Sequence, residues 1–342
     1  MKSVNSFLPN FSHLYVEENA SDYPLTHELL KRYSNSVFVP IKDYKTVFNR
    51  GKQNFQLQKR SMKLILAVKK PPFIYHASSV QQNSGFRNHY YITPLINCLY
   101  NCDYCFLQGM YPSGNMVLFV NSNDFFSAVG DKIQKRSFSS EPLFLSVSYN
   151  TDLIAFENIV PLSRAWIDYC KQTEDLILEI RTKSALFQPL ENITPVQNVL
   201  LVWTLSPQKV IDVHENNTPT LERRLKAVWK AIAGGWNVRL CFDPVIIYEN
   251  WQRDYVIFLK QVFAALAADN IKDITVGVFR MNKGFFHRIR KQKPLSKIYY
   301  SRYEIYGDIA TLPSEEQKMV REFMAEVLTT YLPREKILFW DG

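Results

Sequence analysis

The run Cys98-Leu99-Tyr100-Asn101-Cys102-Asp103-Tyr104-Cys105 sets three cysteines in C-x3-C-x2-C spacing. Three thiolates this close can wrap one small iron–sulfur cluster. A [4Fe–4S] cube held by three cysteines keeps one iron open, and an open iron can bind and reduce a small molecule. Two plainer readings stand beside this one. A structural zinc site is closed by four ligands, often as two C-x2-C halves. Here one half is present, and the nearest histidine, His89, lies upstream. Disulfides suit neither the odd total of five cysteines nor the N-terminal MKSVNSFLPNF, which lacks the apolar core of a secretory signal.

Working outward, the chain has 342 residues, 46% of them hydrophobic and 14% aromatic, enough for one large domain or two small ones with a sizeable core. No apolar run approaches the roughly 18–20 residues that span a membrane. A cytoplasmic protein is expected, in a reducing compartment that would also suit an oxygen-sensitive cluster. The net charge of +9 is unevenly spread. Tyr44 to Cys102 holds nine Lys or Arg and no acid, and Ile274 to Tyr303 holds eight and no acid. These segments carry 9 + 8 = +17, so the rest of the chain is about −8. Such segregation is the footprint of a polyanion-binding face, or else of two solvated surfaces that never meet.

Residues 1–88 read as an N-terminal extension packed on the rest of the chain. It has a helix near Leu25–Tyr33 capped around Thr26 and His27, β-runs at Val37–Ile41 and Leu64–Val68, and a loop over Ser78–Ser84. Residues 89–342 repeat strand, loop and helix. The strands are expected at Tyr90–Pro94, Met116–Val120, Leu143–Val147, Leu176–Arg181, Val199–Leu205, Val238–Phe242 and Ile274–Phe279. Continuous apolar strands alternating with helix-period segments predict an α/β fold with a parallel sheet, here a partial (β/α)6 TIM-type barrel. Active sites of such barrels lie at the C-terminal strand ends, where the cysteine loop falls.

The cysteine spacing, with aromatic Tyr104 just before the last cysteine, resembles that of radical S-adenosylmethionine (radical SAM) enzymes. A narrower resemblance rests on several segments in order. Cys98 to Gln108 reads CLYNCDYCFLQ, where the spore photoproduct lyase family has C-x3-C-x-Y-C-Y-L-Q. A strand ending Val120-Asn121, the pair Thr182-Lys183, the segment Thr204–Ala227, Phe242-Asp243-Pro244 and Tyr248-Glu249-Asn250-Trp251 also match. The chain thus resembles enzymes that repair a thymine dimer lesion in DNA.

The resemblance implies roles residue by residue. Cys98, Cys102 and Cys105 would hold a [4Fe–4S] cluster whose fourth iron takes S-adenosylmethionine. Tyr104, Thr151, Lys183 and Ser206 match positions that contact S-adenosylmethionine or substrate; a lysine and hydroxyls suit a carboxylate and a ribose. One departure stands out. The family's hydrogen-donor cysteine is replaced by Tyr149 in the stretch Tyr149-Asn150-Thr151-Asp152, and the aromatic after the last cysteine is Phe106, which cannot relay a hydrogen atom. Tyr149 is then either the donor or a pocket wall, and Cys241, if it points inward, is the alternative donor. Asp243 reads chiefly as a strand terminator and Cys170 as core.

The run from Arg280 to Lys291 mixes cations with aromatics, a pairing that suits phosphates and unstacked bases. Arg280, Lys283, Arg288, Arg290 and Lys291 are the candidate nucleic-acid contacts, and the family resemblance implies a basic hairpin here that helps to flip the lesion. The expected partners are DNA or another nucleic acid and an electron donor such as flavodoxin or ferredoxin. The alternatives are the same radical chemistry on a small molecule, peptide or RNA, and a non-enzymatic, metal-stabilised nucleic-acid-binding protein.

Overall fold

Two mainly parallel sheets organise the computed structural model, which describes residues 9–78, 80–82 and 85–340. Most of MKSVNSFLPNF and part of the Ser78–Ser84 loop lie outside those residues. The larger sheet has eight strands, in the order Ile337–Phe339, Asp273–Val278, Asn237–Val245, Val199–Thr204, Leu176–Thr182, Leu143–Ser146, His89–Ile92 and Ile74–His76. All neighbours run parallel except the last pair. The sheet does not close, which is the partial barrel that the sequence predicts.

Alternation along each strand separates the two faces. Leu178, Ile180, Leu201, Trp203, Leu240 and Phe242 join the main core under the helices. The opposite face carries Phe144, Leu200, Val202 and Cys241 as an apolar floor. Above the floor the same face turns polar, with Ser146, Glu179 and Arg181. The covering helices Leu162–Lys171, Leu221–Ala233, Trp251–Ala265 and Ser314–Leu328 each bury one stripe. Leu221–Ala233 shows why: Leu221, Leu225, Val228 and Ala231 recur on one side, and the Thr220 hydroxyl accepts from the Arg223 N–H as N-cap, worth about 1 kcal/mol.

The second sheet has five strands, ordered Val37–Ile41, His13–Glu17, Leu64–Ala67, Met116–Phe119 and Leu95–Ile96. This corrects the expected strand list. Met116–Phe119 leaves the barrel and pairs with Leu64–Ala67, while the unforeseen Ile337–Phe339 adds the seventh parallel strand. Met116–Phe119 is buried on both faces, so its apolar run carries no sign of which sheet it joins. Hydrogen bonding therefore crosses the boundary expected at residue 88. The early helix spans Pro24–Arg32 with Pro24 in its first turn; the Thr26 hydroxyl donates back to the Ala20 carbonyl and caps nothing. No helix among the described residues is long and apolar enough to cross a membrane.

Candidate active site

The cysteine loop leaves the His89–Ile92 strand at its C-terminal end and is held from several sides. Asn97 takes a left-handed φ of 69°, and its amide donates to the Ser113 and Asn115 carbonyls. Asn101–Cys102 pairs antiparallel with Glu215–Asn216. The Asp103 N–H donates to the His214 carbonyl at 2.7 Å, and the Tyr299 hydroxyl to the Asp103 carbonyl at 2.5 Å. Gln108 reaches the Cys102 carbonyl at 2.5 Å.

Cys98, Cys102 and Cys105 all line one cavity of about 520 Å³, together with Tyr91, Tyr104, Phe106, Tyr149, Thr151 and Lys183. All three thiols are free, and burial pushes their pKa values up, that of Cys98 to about 12. A cube asks each thiol to reach a different iron, and three thiols spaced along one loop around a shared cavity fit that demand. The Tyr100 N–H already lies 3.4 Å from the Cys98 sulfur. Thr151 lines the cavity, and its buried hydroxyl has no hydrogen-bond partner in the described structure.

Behind Tyr104 stands a fully buried network. Its hydroxyl donates to Glu215, which pairs with Arg224 at 2.5 Å and accepts from Ser206 at 3.1 Å. Burial opposes charge on Glu215, but Arg224 and Lys183 outweigh it and hold the carboxyl below its usual range. The Lys183 ammonium lies 5.3 Å from the Tyr104 ring centroid. Ser206 does not line the cavity: it supports Glu215, one layer back. Asp152 receives the Lys183 N–H and the Thr182 hydroxyl, fixing the turn that presents Thr151 and Lys183.

Tyr149 sits at the cavity wall between Tyr91, 4.6 Å between ring centroids, and Phe106, 5.2 Å. Burial, with Tyr91 adding to it, raises its pKa to about 12, so the phenol keeps its hydrogen at neutral pH. Cys241 does point inward, yet it is 0% exposed, absent from the cavity lining and covered by Arg181, whose Nη1 lies 3.2 Å from the sulfur. Arg181 thus stands against the sulfur that the sequence offers as the alternative hydrogen donor. Cys170 is core.

The basic run forms a short strand, Arg280–Asn282, and then the helix Lys283–Gln292; the strand pairs antiparallel with Ile309–Thr311, which forms a hairpin with Glu304–Tyr306 just downstream of the run. Arg280 is a second correction. Its guanidinium grips Asp243 with two 2.8 Å bonds and donates to the Val80 carbonyl at 2.9 Å, so it is spent on the cavity wall. Lys283, Arg288, Arg290 and Lys291 are exposed on the helix, whose Phe286 and Ile289 are buried. The helix lies against Leu107–Met110, just past the cysteines. Gly109 permits this: a Cβ there would fall 2.5 Å from the Phe285 Cβ. Sequence reasoning missed Lys59, Tyr91, Glu179, Arg181, Glu215 and Arg224. They belong to distant segments, and no local spacing marks them.

An open parallel α/β sheet with three cysteines around a cavity at its strand ends defines a radical SAM enzyme. Similarity to known proteins narrows this. The model of the spore photoproduct lyase family matches residues 7–341, and the chain belongs to that family. Its members are radical SAM lyases that use a [4Fe–4S] cluster and S-adenosylmethionine. The spore photoproduct lyase of Bacillus subtilis (strain 168) is 23% identical over 354 residues, covering 98% of this chain and 99% of that protein. That of Clostridium acetobutylicum is 24% identical over 278 residues, covering 77% and 75%. Among solved structures, a mutant spore photoproduct lyase with bound S-adenosylmethionine and dinucleoside spore photoproduct matches with a TM-score of 0.82 at 20% identity. It covers 98% of this chain and 99% of that one. A spore photoproduct lyase complexed with dinucleoside spore photoproduct gives 0.81 at 18% identity, with the same coverage.

Proposed function

We propose that the chain repairs a thymine dimer lesion in DNA, with Tyr149 supplying the hydrogen atom that relatives take from a cysteine. The observation that carries this is the placement of Tyr149 on the wall of the cavity that the three cysteines share. When bound, the cluster and S-adenosylmethionine supply a 5′-deoxyadenosyl radical able to take hydrogen from a substrate carbon. Cys98, Cys102 and Cys105 hold the cluster. Lys183 and the unpartnered Thr151 hydroxyl satisfy the polar groups of S-adenosylmethionine, and the Tyr104–Glu215–Arg224 network keeps the adjoining wall rigid. Phe106 and Tyr91 confine the Tyr149 ring, so that its O–H meets the substrate radical in one orientation. The O–H bond breaks as the product C–H bond forms, and an electron from the one-electron donor with a proton from solvent returns the phenoxyl to the phenol. The exposed cations of the Lys283–Gln292 helix hold DNA phosphates beside the cavity mouth. A one-electron donor such as flavodoxin or ferredoxin completes the system, in a reducing compartment such as the cytoplasm.

A second reading keeps the chemistry and changes the substrate. The loss of the cysteine at position 149, together with a cavity of ordinary small-molecule size, favours a small substrate. The deciding experiment is anaerobic. Reconstituted protein receives S-adenosylmethionine, a reductant and DNA irradiated dry to carry the lesion, and 5′-deoxyadenosine and lesion loss are followed together. Lesion loss is expected. Tyr149→Phe should keep 5′-deoxyadenosine formation and stall product, while Tyr149→Cys should restore product. Deoxyadenosine without lesion loss in the wild type would overturn the DNA reading, and full product yield from Tyr149→Phe would overturn the donor role.

A further inference from the structure

The helix Phe55–Arg60 belongs to the N-terminal part of the chain, yet three of its side chains reach the cysteine loop and its continuation. Gln56 donates to the Gln108 side chain at 2.6 Å and accepts from Asn101 at 3.1 Å. Gln58 accepts from the Gly114 N–H at 2.8 Å. Lys59, one residue further, donates to the Cys98 carbonyl and approaches the Met62 sulfur at 3.4 Å. It is only 6% exposed.

Two neutral glutamines already dock the helix, so docking by itself asks for no charge at position 59. Burying an ammonium is expensive unless a counter-charge is near. Both groups that Lys59 touches are uncharged. One of them is the backbone of Cys98 itself, so the ammonium lies one hydrogen bond from the cysteine loop. The site therefore holds a buried cation whose natural counter-ion is whatever negative charge the cysteine loop carries.

We propose that Lys59 is a tuning residue: the N-terminal segment places its ammonium against the backbone of Cys98, and its charge raises the reduction potential of the cluster that Cys98, Cys102 and Cys105 hold. This rests on the reading that Cys98, Cys102 and Cys105 bind a [4Fe–4S] cluster. Reduction adds one electron to the cluster, and a buried cation beside the loop that holds it would stabilise the more negative state. Lys59 bonds to the Cys98 carbonyl and not to a sulfur, so it acts through charge and not by redirecting a ligand.

The test is an anaerobic redox titration of reconstituted protein, read by the electron paramagnetic resonance signal of the reduced cluster, with iron content and thermal melts alongside. Wild type is compared with Lys59→Arg, Lys59→Gln and Lys59→Met. The potential should move to more negative values in the Gln and Met variants and stay near wild type in Lys59→Arg. Gln retains an amide donor for the Cys98 carbonyl, so a shift common to Gln and Met reports charge. Loss of the cluster from both neutral variants, with retention in Lys59→Arg, would also support a requirement for charge. Equal potentials in all four folded, iron-loaded proteins would overturn the inference and leave the cluster reading intact. So would loss of the cluster from all three variants, which would mark Lys59 as packing. A wild-type protein that takes up no iron, or a Cys98→Ala variant that binds the cluster equally well, would overturn the reading on which the inference rests.

Discussion

Glu179 shows how one residue can be held ionised in a place that should neutralise it. It is buried on the inner face of the larger sheet, and burial alone would raise its pKa. Arg181 at 2.9 Å, the Ser146 hydroxyl at 2.6 Å and the more distant Arg239 outweigh that effect and hold it at about 2, against an ordinary 4.5. A carboxyl depressed in the fold stabilises the protein above its unfolded pKa, and that contribution fades as pH falls toward the folded value. Wild type should therefore exceed Glu179→Gln in urea midpoint at neutral pH, with the gap closing between about pH 4.5 and about 2. A gap that stays constant across that range would remove the ion pair from the account. None of this is legible at Glu179 itself, where Leu176–Thr182 reads as an ordinary strand with one acid in it. The chemistry at Cys98, Cys102 and Cys105 is legible because one local loop supplies all three ligands.

At the scale of elements, the packing of the helix Lys283–Gln292 on the cysteine loop decides whether the basic charges sit beside the site. Gly109 sets that packing. Gly109→Ala forces a Cβ to within 2.5 Å of Phe285, whose Cα and carbonyl oxygen are nearly as close, so the helix must shift. The expected loss is about 1–3 kcal/mol in denaturant unfolding, the usual cost of overpacking, with DNA binding weakened and iron uptake kept. The helix's own cations give a separate prediction. Replacing Lys283, Arg288, Arg290 and Lys291 by Gln should weaken DNA binding and flatten the plot of log affinity against log salt by about 0.9 for each phosphate that is no longer neutralised. A slope unchanged from wild type would show that DNA, if bound, lies elsewhere. Sequence proximity groups Arg280 with these residues, but its partner Asp243 lies on another strand, so no local spacing marks the pair.

For the whole molecule, the two sheets are interlocked. The chain leaves the larger sheet after His89–Ile92, adds Leu95–Ile96 and Met116–Phe119 to the smaller one, and returns at Leu143–Ser146. Met116–Phe119 draws one of its two neighbours, Leu64–Ala67, from the N-terminal part, and the Phe55–Arg60 helix of that part braces the cysteine loop. A chain begun at residue 89 would expose the buried edge of Met116–Phe119 and lose Lys59, Gln56 and Gln58 from the loop. It should fail to melt cooperatively and should not retain iron after reconstitution. A soluble, cooperatively melting fragment that holds a cluster would show that the N-terminal part is dispensable.

The sequence by itself determined the ligand spacing, the alternation of strand and helix, the polarity of the sheet and the substitution of tyrosine for the family's cysteine. Each of these is written within a few residues or in a simple period, so reading it needs no knowledge of what folds against what. The tertiary structure alone decided which sheet receives Met116–Phe119, that Arg181 lies against Cys241, that Arg280 pairs with Asp243 and that Lys59 meets the Cys98 carbonyl. These are pairings between residues far apart in the chain. They are chosen by which surfaces can be buried together and which charges must then be answered, and only the complete fold specifies that.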